Sequence, residues 1–283
     1  MTPTSAAARA GMRRGLIETR QTLTNGQDLF NMLFFPIVTL IVMFFMRDST
    51  LPGTTFSLGS AAMPGVLGMQ VAFAGFIGVA AVLMVEREDG TLLRAKAVPN
   101  GMLGYLVGKI VGGAVGGLIG VLIILVPGLL LFDGLTVDGI GAWLTLLAVL
   151  LLGLVATMPL GAVVGALSDN PRNLGLVFLP MVGLIAISGI FYPITALPGW
   201  LSAIGQVFPV YWLGLGMRSA LLPDAAVVAE IGDSWRHAEM IGVLGAWSAA
   251  GLVVAPILLR RMARRESGAN MTARRDRALQ RVQ

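Results

Sequence analysis

Hydrophobic residues fall in long unbroken runs along this chain, without the alternating or narrow helical patterns of soluble domains. A run of about 20 apolar residues forms a helix long enough to cross the hydrocarbon core of a bilayer. Six such runs predict six membrane spans, at residues 29–46, 62–85, 103–132, 140–167, 174–191 and 240–259. The third and fourth spans are long enough to require tilt or a kink, and Pro127 and Pro159 are the candidate kink positions.

The composition agrees with this pattern, since 56% of the residues are hydrophobic, 12% are charged and the mean hydropathy is +0.82. A soluble domain carries about 25% charged residues. The chain is therefore predicted to be an all-α polytopic membrane protein. With no cysteine and a single histidine, His237, it offers neither a disulfide framework nor a cluster of thiolate or imidazole metal ligands.

Basic residues are distributed unequally between the two sides of the predicted membrane. If the spans alternate in direction, 17 of the 20 Lys and Arg residues lie on the side of both termini, and Arg47, Arg218 and Arg236 lie on the other. The positive-inside rule therefore predicts that both termini are cytoplasmic and that the chain crosses the cytoplasmic membrane. The basic tail, residues 260–283, is interpreted as a topological anchor beside anionic lipid, and no nucleic-acid partner is expected.

Residues 1–28 are predicted to form a cytoplasmic amphipathic segment ahead of a six-helix domain at residues 29–259. Helical geometry places Met12, Leu16 and Leu23 on one face of this segment, which favours a helix lying at the membrane interface. A flexible basic tail is the alternative. The segment lacks the apolar core of a cleavable signal peptide, so the first span is expected to remain as an anchor.

Residues 191–222 are apolar enough to resemble a seventh span, but prolines divide them into pieces of about ten residues that are too short to cross. A full crossing would also move the basic tail to the other side. We therefore predict two half-helices that enter the outer leaflet and return, with interfacial aromatic side chains around them. The dividing prolines are Pro193, Pro198 and Pro209, and the aromatic residues are Tyr192, Trp200, Tyr211 and Trp212.

No charged residue falls in the middle of a predicted span, and Lys109, about six residues into the third span, can extend toward the cytoplasmic surface. Ion-coupled carriers usually need such intramembrane charges. Residues 104–110 approach a phosphate-binding loop but are one residue short, and Ile110 replaces the Ser or Thr that would bind Mg²⁺. Energy for uphill transport would therefore come from a partner.

The third span carries glycine at every fourth position, which predicts one smooth helix face for close packing. The glycines are Gly104, Gly108, Gly112, Gly116 and Gly120. The neighbour on this face, in this chain or in a second copy, is left open.

Residues 86–99 are densely charged and separate the second and third spans. Their acidic start, basic end and final Pro99 favour a short surface helix, predicted to contact another protein. A solvated loop is the alternative. The residues assigned to this contact are Glu86, Arg87, Glu88, Asp89, Gly90, Thr91, Leu92 and Arg94.

Two motifs together resemble the permease subunits of ABC-2 type exporters, and most closely the small permeases of the daunorubicin-resistance type. The first is Glu-Arg-Glu-Asp-Gly-Thr-Leu at residues 86–92. The second comprises Ser-Gly-Ile-Phe-Tyr-Pro at residues 188–193, Leu-Pro-Gly-Trp at residues 197–200, Pro209 and Arg218.

The resemblance implies the six-helix fold of type V exporters and a pairing of two permeases, as a homodimer or a heterodimer. It implies that residues 86–99 dock on a cytoplasmic ATPase, which holds ATP and Mg²⁺. The half-helices would form an outer gate around Ser188, Gly189, Phe191, Tyr192, Pro193, Pro198 and Pro209. Spans 2 and 5 would form the cargo path.

The function expected is that of an exporter subunit without an ATPase site of its own, moving an amphiphilic drug-like or lipid-like molecule and conferring multidrug or antibiotic resistance. The candidate path residues are Met69, Phe73, Phe76, Phe178 and Met181, which could equally face lipid or pack the bundle. A polysaccharide or glycolipid exporter, a gradient-driven carrier or channel, and a membrane scaffold are the alternatives.

Overall fold

The computed structural model describes residues 3–49, 57–132, 134–168 and 174–265, and within them the regular elements are helices. The α-helices are α1 (Pro3–Thr24), α2 (Gly26–Phe45), α3 (Leu58–Phe73), α4 (Val79–Glu88), α5 (Thr91–Lys96), α6 (Gly101–Leu131), α7 (Gly139–Leu167), α8 (Leu174–Ala186), α9 (Gly199–Val207), α10 (Pro209–Leu221) and α11 (His237–Arg265). A π-helical turn, Ala74–Gly78, joins α3 to α4. Most of the predicted basic tail, residues 266–283, lies outside the described residues.

Among the described residues, five helical segments are long and apolar enough to cross a membrane. They are Gly26–Phe45, Gly59–Glu88, Gly101–Leu131, Gly139–Leu167 and His237–Met262. These segments correspond to predicted spans 1 to 4 and 6, and the shorter apolar helix α8 occupies the position of predicted span 5. The predicted all-α polytopic fold is confirmed. Pro127 and Pro159 lie within α6 and α7, each of which continues past its proline.

The fifth predicted span is shorter than expected. Its helix, α8, ends at Ala186, whereas the apolar pattern predicted a helix as far as residue 191. Thirteen residues rise about 20 Å, which is less than the hydrocarbon thickness of about 30 Å. The helix ends because Gly189 adopts a left-handed conformation (φ +64°), and the Ser188 hydroxyl donates to the Ile185 carbonyl at 2.7 Å.

The bundle has two ends, which we name after the short helices located there. At the α5 face, Leu92 of α5 packs in a buried cluster with Tyr105 of α6 and Met262 of α11. At the α9 face, the Thr136 amide after α6 donates to the Leu221 carbonyl at the end of α10 at 3.0 Å. Leu83 of α4 belongs to the buried cluster at the α5 face and Ala166 of α7 packs against it, so the ends of α4, α7 and α11 share this face with the start of α6.

The half-helices α9 and α10 confirm the predicted re-entrant segment. At the tip between them, Phe208 stacks on Trp247, and the Trp247 indole donates to the Val207 carbonyl at 2.7 Å. Trp247 lies ten residues into α11, a depth of about 15 Å. From this tip α10 returns to the α9 face, where the Leu221 carbonyl accepts from Thr136. The segment therefore enters the bundle to a depth of about 15 Å and returns to the same face.

Close approach of glycine-bearing helices forms the centre of the bundle. A β-carbon placed on Gly68 of α3 would lie 2.6 Å from the Gly214 amide nitrogen of α10. One on Gly161 of α7 would lie 2.5 Å from the Gly75 carbonyl oxygen in the π-helical turn. Real β-carbons do not tolerate such distances, so the backbones can pack this closely only because these positions are glycine.

Candidate functional site

The short helix predicted over residues 86–99 begins later than expected. Glu86, Arg87 and Glu88 form the last turn of α4, and α5 starts at Thr91. The prediction of its start was wrong because the helix of the second span continues as far as Glu88. Gly90, in the left-handed conformation (φ +78°), then turns the chain.

The corner at Gly90 is stabilised by its neighbour. The Asp89 carboxylate accepts the Thr91 amide at 2.7 Å and so satisfies a free N–H group at the start of α5. The two helices are therefore joined at a defined angle.

The Glu86 side chain is turned into the protein. Its carboxylate lies 2.7 Å from the Lys109 ammonium and accepts the Tyr105 hydroxyl at 2.7 Å. The side chains of Glu86 and Lys109 are only 12% and 18% exposed. The Lys109 ammonium also lies 2.6 Å from the Glu18 carboxylate of α1. One cation of α6 thus connects α1 to the end of α4.

Arg14 extends the same cluster. Its guanidinium donates to Glu18 at 2.8 Å and lies 3.9 Å from Glu86. The pKa of Arg14 is raised above its usual value, chiefly by the hydrogen bond to Glu18. Partial burial would raise the pKa of Glu18, but the hydrogen bonds from Lys109 and Arg14 outweigh it and hold that pKa below its usual value.

The position of this cluster explains why the third span looked too long. The 31 residues of α6 measure about 46 Å, roughly 15 Å more than a hydrocarbon core. Lys109 and Tyr105 lie on the first turns of α6, beside α1 and the end of α4. About ten residues at the start of α6 therefore extend beyond the apolar layer, and this extension carries the charges.

Arg87 connects the same corner to another helix. Its guanidinium donates to the Ser168 carbonyl at 2.7 Å and to the Ala166 carbonyl at 3.3 Å, both at the end of α7. Those carbonyls lack helical partners, so the arginine caps α7. Glu86 thus connects the start of α5 to α1 and α6, and the adjacent Arg87, of opposite charge, connects it to α7.

Helix α5 has one buried side and one exposed side. Thr91, Leu92 and Ala95 are buried. Glu88 and Asp89, just before the helix, and Arg94 within it are exposed. Of the residues predicted to contact a partner, these three form the accessible surface, whereas Glu86, Arg87, Gly90, Thr91 and Leu92 serve internal contacts.

The glycine face of α6 packs against α1 of the same chain. A β-carbon on Gly15 would lie 2.5 Å from the Gly108 carbonyl oxygen, and one on Gly112 would contact the Gly15 carbonyl at 3.6 Å. The predicted close packing is therefore present at Gly108 and Gly112. The small-residue pattern Gly11-x-x-x-Gly15 was the overlooked signal for this pairing.

The glycine face changes partner farther along α6. A β-carbon on Gly120 would lie 2.5 Å from the side-chain amide nitrogen, Nε2, of Gln70 in α3. Among the described residues, nothing lies within 4 Å of a β-carbon on Gly116, so the described part of this chain supplies no neighbour there, and packing against a second copy stays a prediction.

The predicted outer-gate residues gather where α8 ends and α9 begins. The Tyr192 hydroxyl donates to the Ala186 carbonyl, which folds the chain back on α8. Pro193 and Pro198 precede a 3-10 turn and α9 respectively, and Pro209 is the first residue of α10. Ser188 is buried and Phe191 is exposed.

A buried ion pair, missed by the sequence analysis, holds this region together. Arg218 of α10 donates to the Glu230 carboxylate at 2.5 and 3.4 Å, and to the Gly189 carbonyl at 3.1 Å. The two charged side chains are 8% and 5% exposed. Arg218 was visible in the second motif, but no sequence pattern pointed to Glu230, which follows in an irregular segment.

The candidate path residues are only partly brought together. Phe73 stacks on Phe178 of α8 with ring centroids 5.6 Å apart, and Phe35 of α2 packs edge-on against Phe73 at the same distance. Met69 and Met181 are buried in the core. Phe76 lies in the π-helical turn and is partly buried.

Comparison with protein families matches residues 46–258 to the model described as ABC-2 family transporter protein. The match covers about three quarters of the chain. It includes α5, the re-entrant segment and the contact between Phe73 and Phe178, whereas α1 and Phe35 of α2 precede it. No curated protein matches the chain.

Proposed function

Because the chain belongs to the ABC-2 family of transporter proteins, we propose that it is the membrane subunit of an exporter that moves an amphiphilic, drug-like or lipid-like molecule out of the cell. Family membership makes it a multi-pass permease that associates with ABC ATPases. The direction of transport, the cargo class and a role in drug or antibiotic resistance, as in the daunorubicin-resistance type, belong to the proposal.

The observation that carries the proposal is the anchoring of α5. Its exposed side offers Glu88, Asp89 and Arg94 to a partner, while Glu86 and Arg87 join its start to three other elements. A force applied to α5 would therefore move α1, α6 and α7 together, since charged contacts resist separation in a partly buried site. This is the arrangement required to convert the motion of an ATPase into movement of membrane helices.

Two further features support export. The re-entrant helices α9 and α10 form the end of the bundle opposite α5, and the Arg218–Glu230 pair holds α10 to the turn after α8. The contact between Phe73 and Phe178 places apolar rings between α3 and α8, which suits an amphiphilic cargo. In this proposal the α5 face is cytoplasmic and the α9 face is the outer gate.

The remaining parts of the proposed assembly lie outside this chain. A second permease, identical or related, completes the cargo path. ATP and Mg²⁺ are bound by the ATPase subunits. Arg94, two residues before the end of α5, and Glu88 at its base are the charges that we assign to the ATPase contact.

The test is a double charge reversal on the exposed side of α5, Glu88→Lys with Arg94→Glu. Arg47→Glu with Asp48→Lys is the matched control, since this exposed pair lies at the end of α2, on the α9 face. Each variant is purified from its native cells with the ATPase that co-elutes, and ATP hydrolysis and efflux of a fluorescent amphiphile are measured in vesicles.

We expect the α5 variant to lose ATPase co-elution and efflux while inserting normally, and the control to retain both. Efflux that continues without any ATPase would refute the proposal in favour of a gradient-driven carrier. Unchanged co-elution and efflux in the α5 variant would refute the assigned contact.

A further inference from the structure

The outward face of α1 combines positive charge with apolar side chains. Arg9, Arg13 and Arg20 are exposed and follow one stripe of the helix, at positions i, i+4 and i+11. The stripe beside it has the same spacing and is apolar. Its members are Met12, Leu16 and Leu23, which are 44%, 53% and 40% exposed.

The negative charge of α1 lies on the side of the helix that packs against the rest of the protein. Glu18 is the only acidic residue between Pro3 and Thr24. Its carboxylate contacts Lys109 at 2.6 Å and Arg14 at 2.8 Å, on the side of the helix that faces α6. The ion cluster that docks α1 therefore also leaves its outward face with a net positive charge.

A groove of about 640 Å³ lies along this helix. Its lining includes Arg9, Arg13, Arg14 and Ile17, and also Glu18, whose carboxylate is already paired with Lys109 and Arg14. Guanidinium groups match the geometry of phosphate oxygens and can bind them through two parallel hydrogen bonds. The groove thus offers a phosphate-bearing group a site next to apolar contacts.

The position of α1 identifies the source of that phosphate. Asn25 separates α1 from α2 and caps α2 by accepting the Gln27 amide at 2.9 Å, and α2 is long and apolar enough to cross the membrane. The amphipathic helix therefore lies beside the membrane surface, where the apolar stripe can enter the acyl boundary and the arginines can reach headgroups. A soluble protein partner would have to supply an apolar groove of its own.

We propose that the outward face of α1 binds anionic phospholipid, with headgroup phosphates on the arginine stripe and acyl chains against Met12, Leu16 and Leu23. This goes beyond the proposed transport function and does not depend on it. It gives a lipid partner to the N-terminal helix α1, which precedes the region matched to the family.

The test measures amide hydrogen exchange of α1 in the full-length protein, in nanodiscs of phosphatidylcholine and in nanodiscs that also contain phosphatidylglycerol. We expect phosphatidylglycerol to slow exchange in α1. Each arginine near an anionic surface contributes about fivefold in affinity, so Arg13→Gln with Arg20→Gln should weaken lipid binding roughly 25-fold and remove most of the added protection. The matched control, Arg260→Gln with Arg261→Gln, removes the same charge from exposed positions on α11 and should retain the lipid effect.

Other outcomes would overturn the proposal. Equal exchange of α1 in both lipids, or a lipid effect that survives in the Arg13/Arg20 variant, contradicts binding by this stripe. Protection that inorganic phosphate produces equally well in phosphatidylcholine assigns the site to a soluble anion. Protection that requires the ATPase and ignores lipid composition assigns the face to a protein partner.

Discussion

The ammonium group of Lys109 lies 2.7 Å from the carboxylate of Glu86, the residue that begins the charged corner before α5. Glu86 was predicted to face a partner protein, and the contact with Lys109 turns it inward. Together with Glu18 and Arg14, this pair makes the N-terminal helix part of the same unit as α5. The arrangement determines several measurable properties.

Replacing Lys109 with methionine should destabilise the protein, because Glu86, which is largely buried, loses its close cation and keeps only the Arg14 guanidinium at 3.9 Å. Removing one partner of a buried pair costs about 3 kcal/mol of the free energy of unfolding. Adding Glu86→Leu should recover part of this loss, since no buried charge then remains unpaired at that position. Denaturation in mixed micelles measures both effects. Arg260→Met, an exposed change on α11, is the control and should alter stability by less than about 0.5 kcal/mol.

Gly15→Ala should release α1 from α6, because the new β-carbon would lie 2.5 Å from the Gly108 carbonyl oxygen. Gly116→Ala is the matched control on α6, where a β-carbon meets no described atom within 4 Å. The control should be neutral or stabilising by up to about 1 kcal/mol, since alanine is the better helix former. Limited proteolysis between α1 and α2 reports release. Equal protection of both variants would contradict the close contact.

Docking of α1 should weaken in acid. The pKa of Glu18 is lower in the folded protein than its usual value of about 4.5, so its ion pairs stabilise docking fully above that value. The stabilisation is lost as the pH falls through the folded pKa, below 4.5. Hydrogen exchange of α1 should therefore be constant from neutral pH to about 5, after correction for intrinsic rates. The Glu18→Gln variant should lack the acid-dependent step.

Arg218→Met should destabilise the re-entrant segment, because Glu230 would remain buried without a cation and the Gly189 carbonyl would lose its donor. We expect a loss of about 3–5 kcal/mol. Arg218→Lys should recover little, since an ammonium group cannot reproduce the forked contacts of a guanidinium. Thermal unfolding tests this, and Arg47→Met, an exposed change on the same face, is the control. A stable Arg218→Met variant would show that the pair does not hold the segment.

The sequence alone determined the membrane-spanning character of the chain, because burial in lipid demands long apolar helices whose length follows from bilayer thickness. It also indicated the re-entrant segment through Pro193, Pro198 and Pro209, since proline interrupts helices by a local steric effect. The two motifs pointed to the family that the match over residues 46–258 establishes.

Only the tertiary structure decided which way the charged side chains of residues 86–94 point and which helix covers the glycine face of α6. Glu86 and Glu88 are both glutamates in the last turn of α4, yet one pairs with Lys109 and the other is exposed, because helical rotation turns them toward different neighbours. Glu230 meets Arg218 from an irregular segment that carries no periodic signal. Such contacts depend on how distant segments meet in space, and local sequence patterns do not encode that.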